Sequence, residues 1–163
     1  MKVCNKKDIL WLTALMLDAD IFGPCSEDGT VKRKMSAYIK TMLARPDITI
    51  LAPVPGKMIH TFVRQNGVLY EIHTAIRKNS GLGGKEKVRL SRDACAWMVK
   101  NKGVRKFITH VPEGNRAAGI YAVACGMERV GVLSNAIKKD GILLDMTLYQ
   151  SKDRDINNII LKD

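Results

Sequence analysis

Residues 68–84 read Val-Leu-Tyr-Glu-Ile-His-Thr-Ala-Ile-Arg-Lys-Asn-Ser-Gly-Leu-Gly-Gly. The first nine residues have the alternation of a strand, and the next eight form a glycine-rich loop. A helical pattern begins at Lys85, directly after the loop. This order presents the backbone N–H groups of a helix N-terminus to an anion. We therefore expect the rest of the chain either to support this stretch or to form the second wall of its site.

A β-hairpin is predicted to lead into the glycine loop. Residues 58–65 alternate, residues 68–76 alternate again, and Asn66-Gly67 between them is a strong signal for a two-residue turn. A short strand at 48–51 precedes the hairpin. Two antiparallel strands are therefore expected to run straight to the loop.

Two amphipathic helices are predicted before these strands. The first begins at Asp8, and its apolar residues recur every three or four positions until Phe22-Gly23-Pro24 stops it. The second covers about 31–45 and ends before Pro46.

Helices and strands alternate after the loop. In order, we predict a helix at 85–101, a strand at 104–111, a helix at 115–125, and strands at 130–133 and 142–149. Gly103 and Gly126 follow the two helices as C-terminal glycines do, and Asp140-Gly141 signals a tight turn between the last strands. The helix at 115–125 is rich in small residues, which let either a ligand or a neighbouring element approach closely.

The order of elements predicts a mixed α/β fold, with helices packed on the faces of one sheet. No internal repeat, low-complexity segment or linker divides the 163 residues. We expect one domain over 1–163, with a helical part at 1–45, a sheet core at 46–150 and a tail at 151–163. A chain of this length buries about 70% of the surface that its unfolded form exposes, which is enough for a proper core.

Composition excludes some classes of protein and favours others. No apolar run approaches the roughly 18 residues that span a bilayer, and the N-terminus lacks a signal-peptide pattern, so we expect a cytoplasmic protein. The four cysteines are scattered without ligand spacing, which favours reduced thiols over a metal site. The formal net charge of +11 favours an anionic partner: nucleic acid, a polyphosphate cofactor or an acidic protein.

The three glycines of the loop do not form a nucleotide phosphate loop. That motif needs a glycine where Asn79 stands and Ser or Thr where Glu86 stands. Lys85 and Lys87 nevertheless fall in the first turn of the predicted helix, where the helix dipole disfavours cations by a few tenths of a kcal/mol. Cations make sense there if an anion sits over the loop, although Glu86 and solvent could compensate instead.

The same residues resemble the GNAT N-acetyltransferase superfamily. Lys78-Asn-Ser-Gly81-Leu-Gly83 is similar to its Q/R-x-x-G-x-G/A pyrophosphate loop, with Lys in the leading position. Asn115, Ala118 and Gly126-Met127 stand at the relative spacings of the superfamily's Asn-initiated helix. The resemblance covers residues 57–149, and the two opening helices fit the N-terminal region of that family.

The resemblance implies a GNAT-like central sheet, mixed and mostly antiparallel, that opens between two central strands to bind acetyl-CoA. The pantetheine arm would pair with the strand backbone at Ile72, Thr74 and Ile76. The other cofactor-binding residues would come from the pyrophosphate loop and the Asn-initiated helix: Lys78, Gly81, Leu82, Gly83, Gly84, Lys85, Asn115 and Ala118. The chemistry would be acyl transfer to an amine, which needs a base, donors to the thioester and an acid for the thiolate.

Glu71 and His73 share one strand face just before the cofactor segment. Family members often carry a Glu on this strand, so Glu71 is the first candidate for the base and His73 the second; a surface ion pair across the hairpin is the alternative. The resemblance also implies a Tyr seven residues after Asn115, where this chain has Ala122. Tyr121 stands one residue early, rotated by about 100° around a helix, and is the remaining candidate for the acid.

The sequence therefore predicts an acetyl-CoA-dependent N-acetyltransferase that acts by direct, base-assisted transfer on an unidentified amine. The positive charge favours an acceptor amine on a protein or RNA over a small molecule, and allows nucleic-acid contact. The departures from the motif resemble divergent members encoded by tailed bacteriophages, which would place the protein in the host cytoplasm or the virion. The rival interpretation is a GNAT-shaped phage structural or interaction protein that no longer catalyses.

Overall fold

The computed structural model describes residues 1–25 and 27–153, so residues 154–163 of the predicted tail lie outside the described part. Within it the chain forms one sheet with helices on both faces. The strands are β1 (Lys2–Val3), β2 (Ile48–Val54), β3 (Met58–Arg64), β4 (Leu69–Ile76), β5 (Lys106–Pro112), β6 (Met127–Lys139) and β7 (Ile142–Ser151). The α-helices are α1 (Ile9–Met16), α2 (Ala19–Cys25), α3 (Met35–Ala44), α4 (Gly84–Lys102) and α5 (Arg116–Ala124).

The seven described strands form one sheet in the order β1-β2-β3-β4-β5-β7-β6. Neighbouring strands are antiparallel except for β4 and β5, which are parallel. Helix α4 is the long connection that a parallel pair requires. The prediction of a mixed, mostly antiparallel sheet with helices on both faces is confirmed.

The two central strands pair only at their beginnings. Residues 69–71 of β4 pair with residues 106–108 of β5, and no further pairing joins these two strands. From Ile72 onward β4 stays paired with β3 alone, while β5 stays paired with β7 from Ile108 to Pro112. The sheet therefore splays open between its central strands, as the family resemblance implied.

Alternation along β4 supplies both faces of the sheet with core residues. Tyr70 and Ile72 pack with Met98 of α4 in one buried cluster. Ala75 points to the other face, where it joins a second cluster with Leu12 of α1 and further residues of α3. By this period of two, Glu71 and His73 lie on the face that α1 and α3 cover.

The N-terminal helical region differs from the prediction. The first helix is broken into α1 and α2, and β1 was not predicted. The break occurs because Asp18 starts a new helical segment: its Oδ1 accepts the N–H of Asp20, and its carbonyl accepts N–H groups from Ile21 and Phe22. Asp18 therefore ends one helix and begins the next within the predicted span.

The two predicted tight turns have different outcomes. Asp140 and Gly141 both have positive φ, 52° and 79°, and they directly join β6 to β7, which confirms the two-residue turn. The Asn66-Gly67 prediction is wrong in length, because β3 ends at Arg64 and β4 begins at Leu69. Asn66 Oδ1 instead accepts the N–H groups of Val68 and Leu69 at 3.0 and 2.9 Å, forming an Asx-type loop.

Strand β6 is much longer than the predicted 130–133. Two irregularities in its register, between Arg129 and Gly131 and between Leu133 and Ile137, let it continue through residues that interrupt the alternation. None of the described helices combines the length and apolarity needed to cross a membrane.

Candidate active site where the central strands diverge

A cavity of about 1600 Å³ reaches both faces of the sheet at the divergence of β4 and β5. On one face its walls include Phe22, Tyr38 and His73. On the other face they include Asn115 and Tyr121 of α5. Because the strands are unpaired between these walls, two ligands could approach each other from opposite faces.

One wall of the cavity comes from the unpaired part of β4. Ile72, Thr74 and Ile76, predicted to meet the cofactor, all line it. From Ile72 onward the edge of β4 that faces β5 has no strand partner, so backbone N–H and C=O groups on that edge are open to a ligand. An extended, amide-containing ligand could add to this edge as another strand would.

The glycine loop leads from the end of β4 into α4, which begins at Gly84 as predicted to within one residue. Gly81 has a φ of 74°, which favours glycine, and the N-cap residue Gly83 provides no side-chain acceptor. The first N–H groups of α4 therefore have no capping side chain to satisfy them. Lys78, Leu82 and Lys85 lie in or beside this loop, which is outside the walls of the cavity.

Helix α5 forms the facing wall. Asn115 is its N-cap and accepts the N–H of Ala118 at 3.3 Å through Oδ1. Both residues line the cavity. Asn115 thus fixes the start of the helix, and Ala118 leaves room beside it. The structure therefore places Asn115 and Ala118, both predicted to contact the cofactor, beside the opening.

Tyr121 lies on the face of the sheet that α4 and α5 cover, within a partly buried series of hydrogen bonds. Its hydroxyl donates to the Lys87 carbonyl at 3.0 Å and lies 2.6 Å from Ser91 Oγ. Since the tyrosine proton is engaged with Lys87, Ser91 donates to Tyr121 and accepts from His60 Nε2 at 3.1 Å. His60 Nδ1 then accepts from Thr74 Oγ1 at 2.9 Å. Sequence reasoning missed His60 and Ser91, because their contact joins two elements 31 residues apart.

Burial shifts the pKa values of His60 and Tyr121, the two titratable groups named in this series of hydrogen bonds. His60 is fully buried, and desolvation lowers its pKa to about 3, so the imidazole is neutral near pH 7. Burial also raises the pKa of Tyr121. The candidate acid is therefore a fixed hydrogen-bond donor whose proton already has a partner in the free protein.

Glu71 belongs to a polar cluster at the point where the strands separate. Its Oε1 accepts from His110 Nδ1 at 2.9 Å and lies 3.4 Å from His73 Nε2. Its Oε2 accepts from Gln65 Nε2 at 3.2 Å. The structure therefore unites the two predicted base candidates, Glu71 and His73, and adds His110.

His110 could have been recognised from the sequence only through the strand register. Glu71 pairs with Ile108, so His110 lies two residues farther along β5, with its side chain on the same face of the sheet. Parallel pairing of residues so far apart in sequence is not readable from local alternation. His73 and His110 both line the cavity.

Hydrogen bonds tie the loop after α2 to the turn between β6 and β7. Asp28 accepts the N–H groups of Asp140 and Gly141, each at 2.8 Å. These backbone donors lower the pKa of the Asp28 carboxyl. Lys139 Nζ also donates to the Gly23 carbonyl at 2.9 Å. The loop after α2 and the turn between β6 and β7 are thereby held together beside the cavity.

Comparison with solved structures identifies the class of fold. The chain is similar to spermidine N-acetyltransferase from Vibrio cholerae in complex with CoA and spermine, with a TM-score of 0.77, 15% identity and 96% of each chain covered. It is also similar to ribosomal-protein-alanine N-acetyltransferase from Brucella melitensis, with a TM-score of 0.70, 18% identity, and 92% of this chain and 97% of that chain covered. The protein therefore has the GNAT fold.

A third structure, ribosomal-protein-S5-alanine acetyltransferase from Vibrio fischeri, gives a TM-score of 0.73 at 10% identity, with 94% of this chain and 92% of that chain covered. No curated protein sequence matches the chain. The chain belongs to the family described as "Protein of unknown function (DUF2824)", whose profile matches residues 56–162. The matched residues include β4, β5, the glycine loop and α5, which together form the candidate site.

Proposed function

We propose that the protein is an acetyl-CoA-dependent N-acetyltransferase whose active site is the opening between β4 and β5. The observation that carries this proposal is the cavity that reaches both faces of the sheet where the central strands part. Direct transfer between two substrates requires that they meet in one site. A cofactor on the α4 and α5 face and an amine on the α1 and α3 face would meet at this opening.

The residues that would hold acetyl-CoA fit its chemistry. The free edge of β4 at 72–76 suits the amide groups of the pantetheine arm. The uncapped N-terminus of α4 and the positive-φ Gly81 suit the pyrophosphate, and Lys78 and Lys85 add positive charge beside them. When bound, acetyl-CoA would supply an acetyl group activated as a thioester.

The chain's own polar residues would handle the protons. The cluster of Glu71, His73 and His110 lies where the amine would enter from the α1 and α3 face, and would accept its proton. Tyr121, on the cofactor face, holds a hydroxyl that Ser91 and Lys87 keep in place. A phenol there would donate a hydrogen bond to the departing sulfur if the cofactor displaced the Lys87 carbonyl.

The acceptor is proposed to present its amine on a slender chain. The loop that Asp28 ties to the β6–β7 turn contributes Glu27, Thr30 and Val31 to the cavity walls, and there it would restrict access by a broad surface. The net charge of +11 favours an acidic protein or RNA around the reacting amine. Spermidine and a peptide with N-terminal alanine are suitable first acceptors, because the structural neighbours named above act on a polyamine or an alanine of a ribosomal protein.

Titration calorimetry with CoA and acetyl-CoA tests the cofactor half of the proposal. At a hundredfold excess over Kd, binding should also add about 2.7 kcal/mol of stability to thermal or urea unfolding. Release of free thiol with each acceptor tests transfer. Absence of binding at millimolar acetyl-CoA would overturn the proposal and favour a virion or interaction role, whereas binding without transfer would leave only the cofactor site.

A further inference from the structure

We propose that His110 is the general base of the site, and that Glu71 is the residue that positions it. This inference rests on the proposed acetyl transfer. It assigns the proton-accepting step to a residue on β5, across the strand opening from β4. Neither the glycine loop nor the Asn115 helix takes part in it.

Access to the cavity separates the members of the cluster. A general base must come within hydrogen-bond distance of the proton it removes, directly or through one water. His110 and His73 line the cavity. Glu71 is not among the described residues that form its walls. The side chains of Glu71 and His110 are similarly exposed, at 18% and 20%, so the difference between them lies in which side chain reaches the cavity.

The hydrogen bonds of Glu71 set the orientation of His110. A carboxylate carries no proton to donate, so the 2.9 Å contact requires the N–H on His110 Nδ1. A neutral imidazole then carries its lone pair on Nε2, which is the atom free to accept a proton. Gln65 holds the second carboxylate oxygen at 3.2 Å, so Glu71 is fixed from both sides. A histidine held in one tautomer by a carboxylate is a recurrent arrangement for a catalytic base.

His73 is the competing candidate. Its Nε2 lies 3.4 Å from the same Glu71 oxygen, farther than the hydrogen bond that His110 makes, and its side chain is 54% exposed. Its pKa is lowered, first by desolvation, with Glu71 raising it and His110 lowering it further. Glu71 therefore holds the His73 imidazole less firmly than it holds that of His110. The geometry therefore favours His110.

The proposed step balances as follows. His110 Nε2 accepts one proton from the acceptor ammonium and later releases it to solvent. The free amine forms a C–N bond to the acetyl carbonyl carbon as the C–S bond breaks. The second proton lost by the nitrogen goes to the departing thiolate, giving the amide, free CoA thiol and one released proton.

Nitrogen-15 NMR of the free protein tests the tautomer without any substrate. Wild type should show His110 as the neutral Nδ1–H form. Glu71→Gln keeps an oxygen acceptor and should retain this form, whereas Glu71→Leu should lose it. An Nε2–H tautomer of His110 in wild type would overturn the inference.

Kinetics test the role of His110 in transfer to spermidine or the alanine peptide. His110→Gln should lower kcat by about 10²–10⁴-fold, and calorimetry should find the same Kd for CoA within about twofold, because the cofactor half of the site is untouched. Added imidazole should restore part of the rate of His110→Ala. Glu71→Leu should lower kcat more than Glu71→Gln does, with little change in KM.

The outcomes separate the two proposals. A wild-type protein that binds no CoA would overturn the proposed function. A wild-type protein that transfers acetyl groups, with His110→Gln equally fast or with His73→Gln as the variant that loses the rate, would overturn the assignment of His110 alone.

Discussion

The phenol oxygen of Tyr149 lies 2.8 Å from the position that a Cβ on Gly119 would occupy, and the next ring atom lies at 3.6 Å. Gly119 is the fourth residue of α5, and Tyr149 is in β7, so the tip of the tyrosine side chain meets the helix where a glycine leaves room for it. This contact is one of those that seat α5 on the sheet. The same helix carries Asn115 and Ala118, and its seating therefore positions one wall of the cavity.

We expect Gly119→Ala to destabilise the wild-type protein by about 1–3 kcal/mol, because the new methyl group overlaps the Tyr149 hydroxyl. In a Tyr149→Phe background the oxygen is gone, and the nearest remaining atom is at ordinary contact distance. The same substitution should then be neutral or stabilising by up to about 1 kcal/mol, since alanine favours helix over glycine. Urea unfolding of the four proteins measures both effects. Equal destabilisation in the two backgrounds would show that Tyr149 is not the obstacle.

The pH dependence of stability should reflect His60. Its pKa falls from 6.5 to about 3 on folding, so below pH 6.5 the unfolded imidazole binds a proton that the folded one does not. Stability should therefore fall as the pH decreases from 6.5 toward 3, by up to about 1.4 kcal/mol per pH unit. Urea unfolding between pH 4.5 and 7.5 measures this slope. His60→Gln should lower stability at pH 7.5 and flatten the dependence.

Two other groups must be separated from His60 in that experiment. The pKa of His73 is also lowered, so His73→Gln serves as a control that removes its contribution. Burial opposes ionisation of Asp8, but hydrogen bonds from Lys2, Asn5 and Trp11 outweigh it and lower its pKa to about 2. The stability that Asp8 contributes is therefore lost as the pH falls from 3.8 toward 2, which is outside the measured range. A slope unchanged in His60→Gln would contradict the assignment to His60.

Lys85 should have opposite effects on the free and the CoA-bound protein. It lies in the first turn of α4, where a cation opposes the helix dipole, so Lys85→Gln should stabilise the free protein by about 0.3 kcal/mol. The same change should weaken CoA binding several-fold, because it removes a charge beside the proposed pyrophosphate position. Thermal unfolding with and without CoA, and calorimetry, measure the two effects.

Lys102, in the last turn of the same helix, is the matched control. Lys102→Gln removes a cation that the dipole favours, so it should slightly destabilise the free protein and leave the Kd for CoA unchanged. Equal losses of affinity in both variants would indicate a response to overall charge rather than a site at the α4 N-terminus.

Local patterns predicted the elements of this fold better than their contacts. The strand at 68–76, the glycine loop, α4 and α5 follow from alternation, helical spacing and terminal glycines, which are local properties. The prediction of a two-residue turn at Asn66-Gly67 was wrong because the Asn66 side chain accepts two backbone N–H groups that a tighter turn would have left to the strands. The predicted length of β6 was too short because two register shifts let the strand continue past residues that break the alternation of apolar and polar side chains.

The candidate site was predictable where it depends on one segment and not where it depends on pairing. Glu71 and His73 share a strand, and their common face follows from a period of two. His110 joins them only because β4 and β5 are parallel in one particular register. Asp28 contacts Asp140, which is 112 positions away in the sequence, and such a contact produces no periodic pattern from which it could be predicted.

Breaking the contact between Asp28 and the β6–β7 turn tests whether the loop after α2 limits entry to the cavity. Asp28→Ala removes the acceptor for the Asp140 and Gly141 N–H groups, and we expect hydrogen exchange at these two amides to rise by about tenfold or more. Asp93→Ala, which removes an exposed carboxylate paired with Arg89 on α4, should leave them unchanged. With the turn released, bulkier amines should gain rate relative to spermidine, while the Kd for CoA stays the same. Faster exchange without any change in acceptor preference would show that the Asp28 contact stabilises the β6–β7 turn but does not limit entry to the cavity.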